Sequence, residues 1–263
     1  MSVNNLGFGA YYPINSPIHR LDPRIKIIAT ILLMSVIFST DEPWIYVLMG
    51  GILLVIMPIG KITLICLKRL RSIWLLLLVM TSISMLLIEG RPLFINHPFL
   101  PITYEGFVVG VQMTSRLILV LLISSILTLT TSPFLLTEAL EKMLKPVKKM
   151  GVIVSITAMI IQLSLRFIPT FTSERDKIMK AQAARGYTVD KNIIAQSKGM
   201  LVLVVPLLFT AFRRVEELAA GMDARGFVVG RARTSVREIR MMVIDYVVLI
   251  GVVMFVGWLL WVG

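Results

Sequence analysis

The chain has very little of what a catalytic or metal-binding site requires. It contains one cysteine, Cys66, and two histidines, His19 and His97. A single cysteine allows no internal disulfide and offers no paired ligand set, so Cys66 is expected to be a small apolar residue at a membrane boundary. Because no acidic pair lies inside a hydrophobic run, a membrane-embedded hydrolase is not expected either. We therefore predict no catalytic and no metal-binding residues.

Two other features are also missing. The phosphate-binding pattern Gly-x-x-x-x-Gly-Lys-Ser/Thr does not occur, so the chain is not expected to bind ATP or another cofactor itself. Residues 1–20 include Tyr11, Tyr12 and Pro13 but no apolar core of signal-peptide length. The first long hydrophobic run is therefore expected to direct membrane insertion.

Hydrophobic residues, by contrast, are abundant. They make up 57% of the 263 residues, charged residues only 16%, and a mean hydropathy of +0.86 is too high for an ordinary soluble domain. A helix needs about 20 apolar residues to cross the hydrocarbon core, and shorter runs cross where the bilayer thins or flanking polar residues reach the headgroups. The pattern predicts an all-α integral membrane protein with about five transmembrane helices, at 25–40, 43–60, 72–89, 106–131 and 241–262.

The net charge of +12 could indicate nucleic-acid binding, but the position of the charges indicates membrane topology instead. The loop at 39–42 carries acids and no base. Basic residues flank the first run and fill the loop after the second: Arg20, Arg24, Lys26, Lys61, Lys68, Arg69 and Arg71. This alternation follows the positive-inside rule and predicts a cytoplasmic N-terminus and a C-terminus outside. We expect the lipid bilayer, and no nucleic acid, as a partner.

The runs divide the chain into an N-terminal membrane region of four spans, a cytoplasmic region and a C-terminal span, at 1–131, 132–240 and 241–263. The middle region contains two further apolar runs, 150–165 and 199–212. If both crossed the membrane, the basic stretch 166–198 would face outward, against the positive-inside rule. Both runs are also short, and Pro206 interrupts the second. We predict that they lie along the cytoplasmic membrane face.

Two helix starts are readable from the sequence. The first span begins with Leu21-Asp22-Pro23-Arg24-Ile25-Lys26, where Asp22 can cap free amides and Pro23 suits the first helical position. Arg24 and Lys26 are expected to hold this helix end at the anionic inner surface. Ser132-Pro133 opens a basic amphipathic helix, which could rest on anionic lipid or contact a partner.

Ala-Arg-Gly followed by an aromatic residue occurs twice in the cytoplasmic region, at 184–187 and 224–227. The first motif is predicted to end a helix that begins near Thr172-Ser173, and the second a helix that begins near Leu207. In each, the glycine is expected in the left-handed conformation that stops a helix. Guanidinium groups pair bidentately with carboxylates, so two such tips suit acidic grooves on partner subunits. The candidate docking residues are Ala184, Arg185, Gly186, Ala224, Arg225 and Gly226.

The paired motifs, the 21–26 segment and the helical region between the fourth and fifth spans resemble the transmembrane T component of energy-coupling factor (ECF) transporters, over most of the chain. The resemblance implies a non-catalytic coupling subunit of an ABC-type importer for vitamins or metal ions, in a bacterial or archaeal cell membrane. It implies that Arg185 contacts one ABC-type ATPase subunit and Arg225 the other, with the neighbouring Ala and Gly residues shaping the tips. ATP and Mg²⁺ would be bound by those ATPases, and the substrate by a small membrane-embedded S component.

One charge lies deep inside a predicted span. Arg116 is about ten residues into the fourth span, which at 1.5 Å per residue places it near the middle of the bilayer. It could be functional, or it could tie helices together through backbone carbonyls or Gln112. A functional Arg116 would suit the alternative function, a stand-alone secondary transporter, although the sequence shows no half-to-half symmetry. Asp245 and Arg166 lie near interfaces and are expected to be ordinary.

Overall fold

The computed structural model describes residues 11, 12, 14, 16–88, 91, 103–144, 151–186, 193–228 and 241–262. The helices are α1 (Pro17–Arg20), α2 (Pro23–Ser39), α3 (Pro43–Gly60), α4 (Thr63–Leu87), α5 (Tyr104–Thr130), α6 (Pro133–Leu144), α7 (Gly151–Ala184), α8 (Ile193–Asp223) and α9 (Val243–Val262). This confirms the all-α class. The chain forms two compact units, 1–136 with 238–263 and 137–237. The domain boundaries predicted after 131 and 240 stay predictions.

The first unit is held together by an apolar core between α2, α3, α4, α5 and α9. Cys66 is buried in this core among apolar neighbours, as a small apolar side chain would be. The other core residues are Val36, Ile37, Ile45, Tyr46, Met49, Leu53, Met57, Ile62, Leu119, Leu122, Ile123, Leu129, Val256 and Leu259. Because the members come from helices far apart in sequence, this core joins the N-terminal helices to the C-terminal one.

The start of α2 has the predicted cap. Asp22 Oδ1 accepts a hydrogen bond from the Arg24 amide at 2.8 Å, and Pro23 takes the first helical position. The next basic residue departs from the prediction, because the Lys26 side chain is buried and its Nζ donates to the Thr130 carbonyl at 3.2 Å. A buried ammonium needs protein acceptors in place of water or lipid headgroups. Lys26 therefore ties α2 to the end of α5 and does not anchor the helix at the membrane surface.

Helices α2 and α9 run side by side in the same direction. At their starts, the Asp22 amide donates to Asp245 Oδ1 at 3.0 Å. At the other end, the Trp44 ring, just beyond α2, meets the Trp258 ring of α9 with centroids 6.1 Å apart. Tryptophan is enriched at membrane–water interfaces. The predicted topology needs both helices to run outward from the cytoplasm; which side each end faces stays a prediction.

Helices α4 and α5 approach each other closely at two glycines. A Cβ added at Gly106 would lie 2.7 Å from the Ser84 carbonyl oxygen and 2.9 Å from Met85 Cα. At Gly110, one turn further on, it would lie 3.2 Å from Thr81 Cα. Small residues four apart allow this approach between membrane helices, and we read Gly106 and Gly110 as such a pair. The sequence analysis did not single out either glycine.

We expect Gly106→Ala to lower the free energy of unfolding by about 1–3 kcal/mol, because the new methyl group meets rigid α4 backbone. Gly251→Ala in α9 is the matched control, since a Cβ there meets nothing within 4 Å. Alanine favours a helix over glycine by about 1 kcal/mol, so the control should be neutral or stabilising. Thermal unfolding in detergent measures both variants, and equal midpoints would contradict the close packing of α4 on α5.

The second unit contains two long helices, α7 and α8, that pack against each other. Helix α7 is continuous over 34 residues, so the predicted start at Thr172-Ser173 is wrong. Thr172 Oγ1 donates to the Ile168 carbonyl at 2.8 Å, and Ser173 Oγ donates to the Thr170 carbonyl at 2.7 Å. Both hydroxyls bond to the preceding turn, as they do inside a helix, and neither caps free amides. Helix α6 begins at Pro133, as predicted.

Prolines do not end the helices of this unit. Helix α8 has 31 residues and continues through Pro206, and α7 continues through Pro169. The predicted interruption at Pro206 and the predicted start near Leu207 are therefore wrong. A proline inside a helix removes one backbone hydrogen bond and costs about 3 kcal/mol. In such long helices the remaining backbone bonds and the packing of α7 on α8 offset this local cost.

Within the described residues, four helices are long and apolar enough to cross a membrane: Pro43–Gly60, Tyr104–Thr130, Val152–Ala184 and Val243–Val262. Three match predicted spans, and the shorter α2 and apolar helix Ile73–Leu87 coincide with the other two. Val152–Ala184 is unexpected, because the predicted apolar run covered only 150–165 while the helix continues to Ala184. Its length removes one argument against a crossing; the charge argument remains, and its location along the cytoplasmic face stays a prediction.

Candidate functional site

The first Ala-Arg-Gly motif forms the C-terminal cap of α7. The Arg185 amide donates to the Gln182 carbonyl at 3.1 Å, and the Gly186 amide donates to the Ala183 carbonyl at 3.0 Å. Gly186 has φ +81°, the left-handed conformation expected for a residue that stops a helix. The helix itself ends at Ala184, so Arg185 occupies the cap position.

The second motif repeats this arrangement at the end of α8. The Gly226 amide donates to the Asp223 carbonyl at 2.9 Å, and the Phe227 amide donates to the Met222 carbonyl at 3.1 Å. These two bonds are the defining pair of a Schellman motif, and Gly226 has φ +66°. Arg225 is the cap residue, two positions beyond the last helical residue. The predicted left-handed glycines are confirmed in both motifs.

There is enough space for a side chain at both motif glycines, so crowding does not require glycine at either position. A Cβ added at Gly186 or Gly226 would meet nothing within 4 Å. Their requirement is conformational, because a left-handed backbone costs an L-residue about 1–2 kcal/mol. The two caps therefore present open tips, and a partner could approach the backbone there without displacing any described side chain.

Both arginine tips are exposed. Arg185 and Arg225 are solvent-exposed, as are the alanine and glycine beside each of them. Other charges on the same helices have partners within the helix: Arg175 with Asp176, Lys177 with Glu174, and Arg213 with Glu217. Among the described residues, neither tip arginine has an ion-pair partner. Each fork of N–H donors is thus available to a carboxylate on another molecule.

The Arg116 side chain is hydrogen-bonded to the α2–α3 loop and the start of α3. Its Nη2 donates to Asp41 Oδ1 at 2.7 Å, to the Tyr46 hydroxyl at 2.8 Å and to the Thr40 carbonyl at 3.2 Å. The Asp41 side chain is 85% exposed, so the pair is near solvent at the end of α2. Gln112 donates to the Asp41 carbonyl at 2.7 Å, one turn earlier in α5. These contacts are those of a structural tie between α5 and the loop.

We expect Arg116→Ala to lower the free energy of unfolding by about 1–2 kcal/mol, mostly through the lost bonds to Tyr46 and Thr40, because an exposed ion pair contributes little. Uptake per folded molecule should be unchanged. Thermal unfolding in detergent and uptake normalised to folded protein measure the two effects. An Arg116→Ala variant of full stability that no longer transports would instead establish a functional role for this arginine.

A buried polar cluster that was not predicted joins the starts of α2 and α9. Asp245 is 3% exposed and accepts from two backbone amides, Asp22 at 3.0 Å and Met242 at 2.8 Å. The Asp22 and Asp245 carboxylates also stabilise the charge of buried Lys26. The expectation that Asp245 is ordinary is wrong. A single acid in the first turn of an apolar span was the available signal, but its partner lies 223 residues away.

His19 fastens the N-terminal segment at the same end of the first unit. Its Nδ1 accepts from Ser16 Oγ at 2.7 Å, and its Nε2 donates to the Tyr12 carbonyl at 3.0 Å. The Tyr12 amide in turn donates to the Leu129 carbonyl at 3.1 Å. Burial of the ring lowers the pKa of His19, and the nearby Lys26 ammonium lowers it as well. In the neutral ring, the tautomer protonated at Nε2 makes both bonds.

These features define a class: an all-α membrane protein in which two long helices end in exposed, arginine-capped tips. Residues 14–236 match the family described as "CbiQ: Cobalt transport protein". The "Energy-coupling factor transporter transmembrane protein EcfT" of Acidaminococcus fermentans is 39% identical over 239 residues, which cover 90% of this chain and 89% of that protein. The proteins of the same description from Ruminiclostridium cellulolyticum and Staphylococcus aureus are each 36% identical over 260 residues, covering 98% and 96% of this chain and 97% of each relative. The chain belongs to this family of energy-coupling factor transporter transmembrane proteins and is a transporter component.

Proposed function

We propose that this chain is the coupling subunit of an ECF-type ABC importer, which transmits ATP-driven movement of two ATPase subunits to a substrate-binding S component for vitamin or metal-ion uptake. The observation that carries the proposal is the pair of matching tips: two helix ends closed by a left-handed glycine, each with an exposed arginine that no described acid neutralises. A helix cap that only stops a helix does not need a charged residue at this position, and still less in both copies.

Each tip contacts one ATPase. Arg185 binds a carboxylate in a groove of one ATPase subunit, and Arg225 binds the equivalent groove of the other. Ala184, Gly186, Ala224 and Gly226 keep the tips narrow enough to enter such grooves. ATP and Mg²⁺ are bound by the ATPases, and this chain contributes no catalytic group. It binds no cofactor and no structural metal.

The long helices carry the movement. At 1.5 Å per residue, α7 and α8 are about 50 Å and 45 Å long, so a small rotation at a tip becomes a larger displacement at the far end. Most of the apolar window of α7 is exposed, with only 6% of it buried. This surface and the membrane helices hold the S component, and a change in the angle between α7 and α8 tilts it so that its substrate is released inward.

An affinity pull-down of the tagged chain from its native membrane, in mild detergent, tests the proposal. Wild type should retain two ATPases and a small membrane protein. The double variant Arg185→Glu, Arg225→Glu should lose the ATPases, because reversed charge repels the acidic groove. The matched control, Arg175→Glu with Arg213→Glu, changes the same charge on the same helices away from the tips and should retain them.

Two results would overturn the proposal. One is a wild-type chain that purifies alone and moves solute when reconstituted, which would establish the stand-alone secondary transporter. The other is loss of the ATPases from the control as much as from the tip variant, which would reduce the arginines to part of a general charge effect.

A further inference from the structure

A cavity of about 260 Å³ lies inside the first unit. Helices α1, α2, α3, α5 and α9 form its walls, and the lining is almost entirely apolar: Ile25, Leu33, Leu53, Ile56, Ile126 and Val252 are representative. The apolar part of the lining offers water no hydrogen-bond partners. The lining residue Ile59 is 48% exposed, so the cavity opens at the surface of the bundle.

The polar groups of the lining are concentrated at one end. The Thr30 and Thr130 hydroxyls donate to carbonyls of their own helices, to Lys26 O and Ile126 O, each at 2.7 Å. Lys26 is 9% exposed, and its Nζ donates hydrogen bonds to the His19 and Thr130 carbonyls. An ammonium has three N–H donors, so one remains beyond these two bonds.

The surface around this end of the cavity is basic. Arg20 lies between the lining residues Ile18 and Leu21, and Lys61 lies two residues after the lining residue Ile59. Both are exposed. Helix α1 and the end of α3 are in contact there, since a Cβ added at Gly60 would lie 3.4 Å from Ile18 Cδ1.

The acids at this end do not offset the exposed charge. Asp22 and Asp245 are buried, at 3% exposure each, and both accept from backbone amides. The group that fits the whole site is therefore apolar along its length and anionic at one end.

We propose that this cavity binds an anionic phospholipid, with one acyl chain inside it and the phosphate against Arg20 and Lys61. Phosphate accepts charge-assisted bonds from both side chains, and anionic lipid is the species that basic residues at a membrane surface attract. The site needs only insertion in the bilayer. It does not depend on ATPase docking, so either proposal can fail without the other.

A photoactivatable phosphatidylglycerol with a diazirine on its acyl chain tests the site in the purified full chain in detergent, with labelled positions mapped by tandem mass spectrometry. Labelling should concentrate on cavity-lining residues such as Leu33, Ile56 and Ile126. Ala29→Phe fills the cavity and should reduce that labelling by about tenfold. Ile31→Phe on the same helix is exposed, does not line the cavity, and should leave it unchanged.

A second set of variants tests whether the lipid phosphate binds Arg20 and Lys61. Arg20→Gln with Lys61→Asn should reduce labelling by phosphatidylglycerol about fivefold, while the surface control Lys68→Gln with Arg71→Gln should not. A phosphatidylcholine carrying the same photoactivatable chain should label the wild-type cavity about fivefold less than phosphatidylglycerol. Equal labelling by the two lipids, or undiminished labelling of Ala29→Phe, would overturn the proposal.

Discussion

Uptake should fall by at least about a hundredfold when Arg185 and Arg225 are both changed to glutamate, because truncating or reversing one partner of a buried charge pair costs about 2–5 kcal/mol at an interface. Each single variant should retain part of the activity, since one tip stays bound. The measurement is uptake of radiolabelled substrate by cells that express each variant, normalised to the amount of inserted protein.

Folding must be separated from docking in this experiment. Both arginines are exposed, and their replacement removes no ion pair among the residues that the structure describes. The thermal unfolding midpoint of the double variant should therefore match wild type. Wild-type uptake by the correctly inserted double variant would contradict a role for the tips in coupling.

Asp245→Ala should be among the most destabilising single changes in the first unit, at about 3 kcal/mol. The carboxylate accepts from the Asp22 and Met242 amides, and hydrogen bonds to charged groups contribute about 1.5–3 kcal/mol each. Loss of the Asp245 carboxylate also removes a negative charge that stabilises the buried Lys26 ammonium. For a protein of this size the unfolding midpoint should drop by about 10 °C.

Two further variants identify the cause of this effect. Asp245→Asn keeps one carbonyl acceptor and should lose about half as much stability as Asp245→Ala. Glu42→Ala is the matched control, because Glu42 is an acid at the start of another apolar span, α3, and makes no capping hydrogen bond. Its midpoint should stay close to wild type. If Asp245→Ala unfolded at the same temperature as Glu42→Ala, the tie between α2 and α9 would not contribute to stability.

The features that the sequence predicted correctly depend on local rules. Asp22 before Pro23 predicts a helix start because capping involves only the next few amides. Glycine after Arg185 and Arg225 predicts left-handed caps because only the backbone conformation of that residue matters. The two arginines are recognisable as a pair because the same four-residue pattern recurs at two helix ends, and not from any three-dimensional contact.

The features that the sequence did not predict depend on distant partners or on ambiguous residues. Asp245 has an ordinary local sequence, and its role exists only because the start of α2 lies beside it. Gly106 is critical because the α4 backbone lies against it. The four-residue spacing of Gly106 and Gly110 is visible in the sequence, but the sequence does not show which helix packs there. Thr172 and Ser173 can cap a helix or bond back to the preceding turn with equal ease, so the sequence could not locate the start of α7.

The measurement that tests the coupling account most directly is site-specific photocrosslinking from the tips. A photoreactive amino acid at position 184 or 224, beside each arginine, should form adducts with an ATPase subunit in intact membranes. The same group at position 176 or 213, on the same helices but away from the tips, should form few or none. ATPase adducts confined to 184 and 224 are the predicted result. Their absence at both tips, with insertion of the protein verified, would contradict the claim that these helix ends are docking sites.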